Sequence, residues 1–465
     1  MQSIISFAVS SNPRYSNAET YLLDRVLIFI VGNKRVGTLE SITVSCSNLK
    51  GRIEAPPSKS ICHRAIISSG LSGGISTIEN VMMSDDIIAT LNGMETFGSK
   101  IKLEENKLTI RGCGKVRAAK GRIDCKSSAS TLRFLIPIAL LTGDRIIFDG
   151  TRSLEARPLS PYYSIFDSLN IHCSPRGNFP MTLQGRLASG EYKIQGNISS
   201  QFITGLMFAL PLLDNDSKIV ITGDLESKSY VDLTIDTLKK FGIVIENRDY
   251  SKFYIYGGQI YRPCDFTVEG DYSQAAFWLA LGVLGREVEC LNLNRNSLQG
   301  DRVIVDIIKG MGGNISVQGN KVRAVKSNLK GITLDASNCP DIIPAVSALA
   351  AFADGETRIL NAGRLRLKES DRLKTITCEL NKLGACVREN DDGLIIEGRS
   401  KLNGGLVDSH DDHRIAMMLA VASAGCVSPV TIINSGCVKK SYPGFFEDLK
   451  KLGGTVYGRS LGKLD

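Results

Sequence analysis

The chain has 465 residues, with 56 lysines and arginines against 48 aspartates and glutamates, for a formal charge of +8. At 43% hydrophobic and 22% charged residues it has the composition of a globular protein of two or three domains, which excludes disorder as the main state. Its longest apolar runs, such as 134–141 and 277–281, fall short of the roughly 18–20 residues that cross a bilayer, so no membrane partner is expected.

Residues 1–36 stand outside the pattern that follows. They carry no basic n-region, and their one apolar stretch, 26–32, is too short and too far in for a signal peptide, so a cytoplasmic location is expected. Beyond them the chain repeats. A helix-like run closing on a Leu-Gly or equivalent pair occurs at Phe97-Gly98, Leu169-Asn170, Phe241-Gly242, Met311-Gly312, Leu383-Gly384 and Leu452-Gly453, at intervals of 69 to 72 residues. In phase with it, a polar cluster opens an apolar helix: Ser58-Lys59-Ser60, Ser127-Ser128-Ala129-Ser130, Ser199-Ser200-Gln201, Asp271-Tyr272-Ser273, Pro340-Asp341 and Asp411-Asp412-His413-Arg414. Each cluster offers a Ser or Asp as N-cap.

The unit reads as strand, buried apolar helix, strand, amphipathic helix and one or two strands, an α/β or α+β pattern. Amphipathic examples are 230–241 and 370–383, the second with Leu373, Ile376, Leu380 and Leu383 on one stripe. Units of about 70 residues exceed the usual solenoid repeat, and three of them make a normal large domain. Two lobes of three units are therefore expected, with junctions near Pro56-Pro57 and Gly270.

The first turn of a helix exposes unpaired N–H groups and a partial positive charge, which attract anions. Lys59, Ser60 and Arg64, then Ser199, Ser200 and Gln201, then His413 and Arg414 stand at such starts. Cations there oppose the helix dipole by roughly 0.3–1 kcal/mol, so their presence points to an anionic ligand where the starts converge. The run Arg366-Leu367-Lys368-Glu369-Ser370-Asp371-Arg372, taken alone, reads as a solvated face with a Glu369–Arg372 pair, and Arg157-Pro158 and 439–443 read as surface turns. No Walker loop and no G-x-G-x-x-G occurs, so side chains would have to grip the anions, a task suited to the arginine fork. The nearest cysteines, Cys378 and Cys386, are eight positions apart, so free and mostly buried thiols in a reducing compartment are expected. His410 and His413 fit one helix face but lack a third ligand, so no metal is expected.

Eight segments carry a resemblance: Pro56-Pro-Ser-Lys-Ser-Ile-Cys-His-Arg64, Ser130-Thr-Leu-Arg133, Arg157-Pro158, Ser199-Ser-Gln201, Pro340-Asp341, Lys368-Glu-Ser-Asp-Arg372, Asp412-His-Arg-Ile-Ala-Met417 and Lys440-Ser-Tyr-Pro443. In this order and spacing they resemble the 5-enolpyruvylshikimate-3-phosphate synthase family over nearly the whole chain beyond residue 40. The resemblance implies a two-domain inside-out α/β barrel, each domain three βαβαββ units in pseudo-threefold symmetry. Residues 1–57 with 270–465 would form one discontinuous domain and 58–269 the inserted one. It also implies transfer of the enolpyruvyl group of phosphoenolpyruvate to the 5-hydroxyl of shikimate 3-phosphate. Phosphate is released by addition and elimination through a tetrahedral intermediate, in the shikimate pathway of aromatic amino acid (chorismate) biosynthesis. Neither metal nor organic cofactor is implied. The expected partners are the two small-molecule substrates, bound by a monomer, with no nucleic acid.

Carried over by position, Lys59, Ala129, Arg157, Gln201, Arg372, Arg414 and Lys440 would surround phosphoenolpyruvate. Lys59, Ser60, Arg64, Ser199, Ser200, Gln201, Ser227, Tyr230, Asp341 and Lys368 would hold shikimate 3-phosphate. Lys59, Asp341 and Glu369 would be catalytic, Asp341 deprotonating the 5-hydroxyl and Glu369 protonating the methylene carbon. Lys368 and Arg372 should lower the pKa of Glu369, so an acid role calls for burial or a bound phosphate to oppose them.

Three positions depart from the family pattern. Ala129 replaces a glycine that usually lies against phosphoenolpyruvate, and its methyl group is expected to weaken inhibition by glyphosate, which competes with that substrate. Ser127 replaces a polar residue that normally reaches substrate, and Cys62 a frequent serine. The sister family acting on UDP-N-acetylglucosamine would share the fold, but the Lys-Glu-Ser-Asp-Arg run and the absence of a Gly-rich loop before Arg157 argue against it. A basic nucleic-acid-binding protein is disfavoured because its cations would gather in one stripe. An inactive relative is disfavoured by the survival of Lys59, Asp341, Glu369 and Lys440.

Overall fold

The computed structural model describes residues 19–23, 26–31, 34–39, 41–46, 49–118 and 120–458. Glu19–Leu23, Val26–Val31 and Lys34–Leu39 pair as an antiparallel three-stranded sheet. The rest of the N-terminal stretch set apart by the repeat lies outside the described residues.

Among the described residues, six four-stranded sheets share one connectivity. In one of them Glu191–Gln195 runs parallel to Ser217–Thr222, with the helix Gln201–Ala209 between them in sequence. Parallel neighbours need such a crossover. The amphipathic helix Lys228–Lys240 follows, and the hairpin of Ile245–Arg248 and Lys252–Ile255 returns to lay its second strand antiparallel on Ser217–Thr222. Strands distant in sequence complete three sheets. Phe266–Thr267 joins Ile75–Glu79, Lys50–Glu54 joins Glu287–Leu291, and Ser41–Ser45 lies between Val430–Ile433 and Thr455–Tyr457.

The apolar residues divide the same way. One buried cluster spans 61–268, and another joins 42–55 to 272–452. The chain passes between them twice, side by side: Ser58 N–H donates to the Glu269 carbonyl at 2.8 Å and Asp271 N–H to that of Pro56 at 2.8 Å. The fold is thus a two-domain α/β architecture of repeated units. Apolar helices lie inside, and sheets wrap them with alternating strands, as in Glu191–Gln195.

The repeated Leu-Gly pairs have one cause. Gly98, Gly242, Gly312, Gly384 and Gly453 have φ of 99°, 81°, 83°, 94° and 92°, and Asn170 has 52°. A left-handed residue ends each helix, a conformation that glycine adopts freely and asparagine tolerates.

Helix starts follow the expectation in part. Ser128, Asp271, Asp371 and Asp412 cap with their side chains. Ser58 does not; the Asp271 carboxylate takes the Lys59 N–H instead, at 3.1 Å. Ser200 is itself helical and makes no side-chain cap, while Ser199 Oγ accepts from Gln201 N–H at 3.3 Å. Asp341 is not a cap either: Ile342 precedes the helix Ile343–Ala350, and the carboxylate is drawn to cations. No helix of the described residues is long and apolar enough to cross a membrane, and all 12 cysteines are free thiols.

Candidate functional site

Helix Arg372–Lys382 opens in the interior, and the Arg372 side chain is 1% exposed. A buried guanidinium must be neutralised where it sits. Here Nε donates to Asp412 Oδ2 at 2.8 Å, Nη2 to Glu369 Oε2 at 2.8 Å and Nη1 to Asp341 Oδ1 at 3.1 Å. Asp412 also accepts from Arg414 N–H at 2.9 Å and so fixes the start of helix His413–Ala422. Arg414 then reaches Asp341, with Nη1 donating to its backbone carbonyl at 2.7 Å and Nη2 lying 3.3 Å from Oδ2. Lys368 Nζ is 3.2 Å from Asp341 Oδ1.

Groups from the other half close on this cluster. Tyr230 donates its hydroxyl to Asp341 Oδ2 at 3.0 Å, and Arg157 Nη1 is 3.4 Å from Glu369 Oε1. Lys440 Nζ lies 3.3 Å from the same Glu369 oxygen and donates to the Ser127 carbonyl at 2.9 Å, so it bridges the seam from the opposite direction. Lys59 Nζ pairs with Asp86 Oδ2 at 2.7 Å, and Lys440 also acts on Asp86. Arg364 crosses to donate to Ser227 Oγ at 2.6 Å and pairs with Glu226 at 2.7 Å.

Burial would raise the pKa of Glu369, but Lys440, Arg372 and Arg157 outweigh it and hold the carboxyl well below the usual range. Burial likewise opposes ionisation of Asp341, and Arg414, Lys368 and Arg372 prevail. Lys368 is pushed down to about 8 by burial, with Asp341 opposing. His413 is held neutral by burial and by Lys59. The site therefore stands with two ionised carboxylates inside a ring of cations.

Asp341, Lys368, Glu369, Arg372, Arg414, Lys440, Arg157 and Tyr230 meet in this cluster, with Lys59 joined through Asp86. Gln201 lies beside it, donating to Ser130 Oγ at 2.9 Å and accepting from Arg133 at 2.8 Å. Ser227 is held by Arg364. Arg64 is committed to its own half, donating to Thr234 Oγ1, the Ser60 carbonyl and the Tyr230 carbonyl at 2.7 to 3.0 Å. Ala129 is buried at the first position of helix Ala129–Ala139, and Ser60, Ser199 and Ser200 stand in or beside the first turns of their helices.

Several readings change. Arg157 and Lys440 are not surface turns: their side chains are 9% and 11% exposed, because the seam buries them against Glu369. The Glu369–Arg372 pair forms, but inside the protein rather than on a solvated face. Glu369 is held by Lys440 and Arg157 from distant segments more than by its neighbour Lys368. His410 turns to Glu379 at 2.8 Å, while both ring nitrogens of His413 lack a hydrogen-bond partner. Among the described residues no group of three His, Cys, Asp or Glu could hold a metal ion. Asp86, Arg133 and Arg364 were missed as site residues. Asp86 lies on the second helix of its unit, where no anion-binding start drew attention, and Arg364 precedes the charged run by two positions.

The model of a family described as EPSP synthase (3-phosphoshikimate 1-carboxyvinyltransferase) matches residues 44–449. A 3-phosphoshikimate 1-carboxyvinyltransferase of Clostridium novyi is 50% identical over 435 residues, covering 91% of this chain and 100% of the relative. That of Clostridium acetobutylicum is 52% identical over 421 residues, covering 89% and 98%. The solved EPSP synthase of Acinetobacter baumannii superposes with a TM-score of 0.75 at 25% identity, over 90% of this chain and 100% of that one.

Proposed function

The chain belongs to the EPSP synthase (3-phosphoshikimate 1-carboxyvinyltransferase) family, and from that premise we propose that the seam between its halves is the catalytic cleft, with the roles that follow. The enzyme transfers the enolpyruvyl group of phosphoenolpyruvate to the 5-hydroxyl of shikimate 3-phosphate and releases phosphate, a step of aromatic amino acid biosynthesis. Ser60, Arg64, Ser199, Ser200, Gln201, Ser227, Tyr230 and Lys368 hold shikimate 3-phosphate. Lys59, Arg157, Gln201, Arg372, Arg414 and Lys440 hold phosphoenolpyruvate, with Ala129 against it.

The chemistry needs one base and one acid. Asp341, ionised and fixed by Arg414 and Lys368, accepts the 5-hydroxyl proton as that oxygen attacks C2 of phosphoenolpyruvate. Glu369 delivers a proton to C3. Elimination then returns a proton from C3 to Glu369 and breaks the C2–O bond to phosphate, whose departing charge meets Lys59, Arg157 and Lys440 and takes up the proton released from the hydroxyl. Glu369 is ionised in the free protein, so it has to gain a proton first. An anionic substrate competes for Lys440, Arg372 and Arg157, and a carboxylate deprived of its cations in a buried place rises in pKa.

The observation that carries this reading is the buried guanidinium of Arg372, gripped by Glu369 on one side and Asp341 on the other, with Arg157 and Tyr230 arriving from the opposite half. Domain boundaries at 57/58 and 269/270 agree with it, since the paired crossovers there form a natural hinge for closure. The cations of the seam are matched to acids rather than spread over a face, which favours small anionic ligands over nucleic acid or membrane. We read the protein as a cytoplasmic monomer. Mixing it with shikimate 3-phosphate and phosphoenolpyruvate should release phosphate and form the enolpyruvyl ether in equal amounts. Correctly folded protein that binds both yet releases no phosphate would refute the assignment.

A further inference from the structure

We propose that Gly300 and Ser229 are positioning residues for this reaction: the bare turn at Gly300 receives Ser229 from the opposite half, and their contact sets how far the halves close and where Tyr230 meets Asp341. The proposal rests on the reading of the seam given above.

Gly300 begins the short turn Gly300–Val303. A Cβ at this position would overlap Ser229 Oγ and lie 3.0 Å from Ser229 Cβ and 2.8 Å from the Asn338 carbonyl oxygen. Ser229 immediately precedes Tyr230, whose hydroxyl bonds Asp341. Any thickening of the turn is therefore transmitted one residue along to a group that touches the catalytic carboxylate. Ser229 Oγ and Asp301 Oδ1 are both buried without a hydrogen-bond partner, although the other Asp301 oxygen takes the Ser273 hydroxyl. A hydroxyl and a carboxyl oxygen flanking Gly300 from opposite halves leave one more bond to be made as a ligand draws the halves together.

The turn is also anchored to the hinge. Glu269, on the crossover, accepts from Asn294 Nδ2 at 2.8 Å, from Gln299 Nε2 at 2.9 Å and from the Ser297 hydroxyl. Gln299 Nε2 reaches the Gly270 carbonyl at 2.8 Å as well, and its Oε1 accepts from Tyr272 N–H at 3.0 Å. Held this way, the turn cannot retreat from an added side chain, and the strain falls on the seam.

The test compares Gly300→Ala, Ser229→Gly and the double variant by steady-state kinetics and small-angle X-ray scattering. Gly300→Ala is expected to raise KM for shikimate 3-phosphate about tenfold while kcat stays within about threefold, because the closed state is penalised and saturating ligand restores it. At a shikimate 3-phosphate concentration near the natural protein's KM, where the variant is mostly unliganded, its radius of gyration should exceed that of the natural protein. In the Ser229→Gly background the alanine should lose most of its effect. Gly310→Ala, whose Cβ meets nothing within 4 Å, should match the natural protein. An unchanged KM and radius for Gly300→Ala would overturn the proposal. So would an equal KM penalty in the Ser229→Gly background, which would place the strain on Asn338 in the same half. If the natural protein turns over no substrate, the functional reading falls. The scattering of unliganded Gly300→Ala then decides separately: expansion supports the seam contact, and an unchanged radius refutes it.

Discussion

The half formed by 58–269 and the half formed by 41–57 with 270–458 are built from the same unit, yet they meet the seam with different chemistry. The first brings mostly neutral groups, Gln201, Ser227 and Tyr230, together with Arg157 and the Lys59–Asp86 pair. The second brings charges already joined to one another, Asp341, Lys368, Glu369, Arg372, Arg414 and Lys440. A shared topology thus places helix starts alike in both halves, and the residues at those starts decide which charges each half brings to the seam. The charged half is preorganised, the condition under which electrostatic stabilisation of a transition state is largest.

The contrast predicts unequal costs of substitution. Arg372→Leu should be the most damaging, since it leaves Asp341, Glu369 and Asp412 facing one another in a buried site. A loss of about 3–5 kcal/mol in chemical denaturation is expected, with turnover abolished; a near-normal stability would show that the charged half is not locked. Glu369→Gln should lower kcat by about 10²–10⁴ while calorimetry shows shikimate 3-phosphate still bound.

A pH profile sharpens the same point. Lys368 carries its proton below about 8 and loses it above, because burial lowers its pKa. Since kcat/KM reports the free enzyme, the value for shikimate 3-phosphate should fall about tenfold per pH unit above that point, and Lys368→Arg should shift the fall upward. A profile identical in the two proteins would assign the limb elsewhere. Ala129→Gly should strengthen glyphosate inhibition about tenfold, the effect of one methyl group in a fitted pocket; equal inhibition constants would remove Ala129 from that pocket. In the hydroxyl-bearing half, Ser200→Ala should raise KM for shikimate 3-phosphate by only about fivefold.

Much of this was legible in the sequence because it is local. The six helix-ending pairs, five closing on glycine and one on Asn170, report left-handed helix ends, and the polar clusters report helix starts, both set within a few residues. Of the residues carried over by resemblance, Arg157, Tyr230, Asp341, Lys368, Glu369, Arg414 and Lys440 gather around Arg372, but their surroundings could not be read from spacing. Arg157 and Lys440 look like surface turns until distant segments bury them against Glu369. Asp86 and Arg364 escaped notice for the same reason: each is defined by a partner far away in the chain, Lys59 for one and Ser227 for the other. The exchange of Ser58 for Asp271 as the group that caps Lys59 is another long-range substitution, made where the two crossovers run together.

The central claim is that Glu369 protonates the methylene carbon of phosphoenolpyruvate while Asp341 takes the proton of the attacking hydroxyl. A single turnover in D2O, quenched and analysed by mass spectrometry, tests it most directly. Deuterium should enter the methylene group of the enolpyruvyl ether made by the natural protein, and Glu369→Gln should form neither labelled product nor labelled intermediate on that timescale. Labelling by Glu369→Gln at the natural rate would contradict the claim.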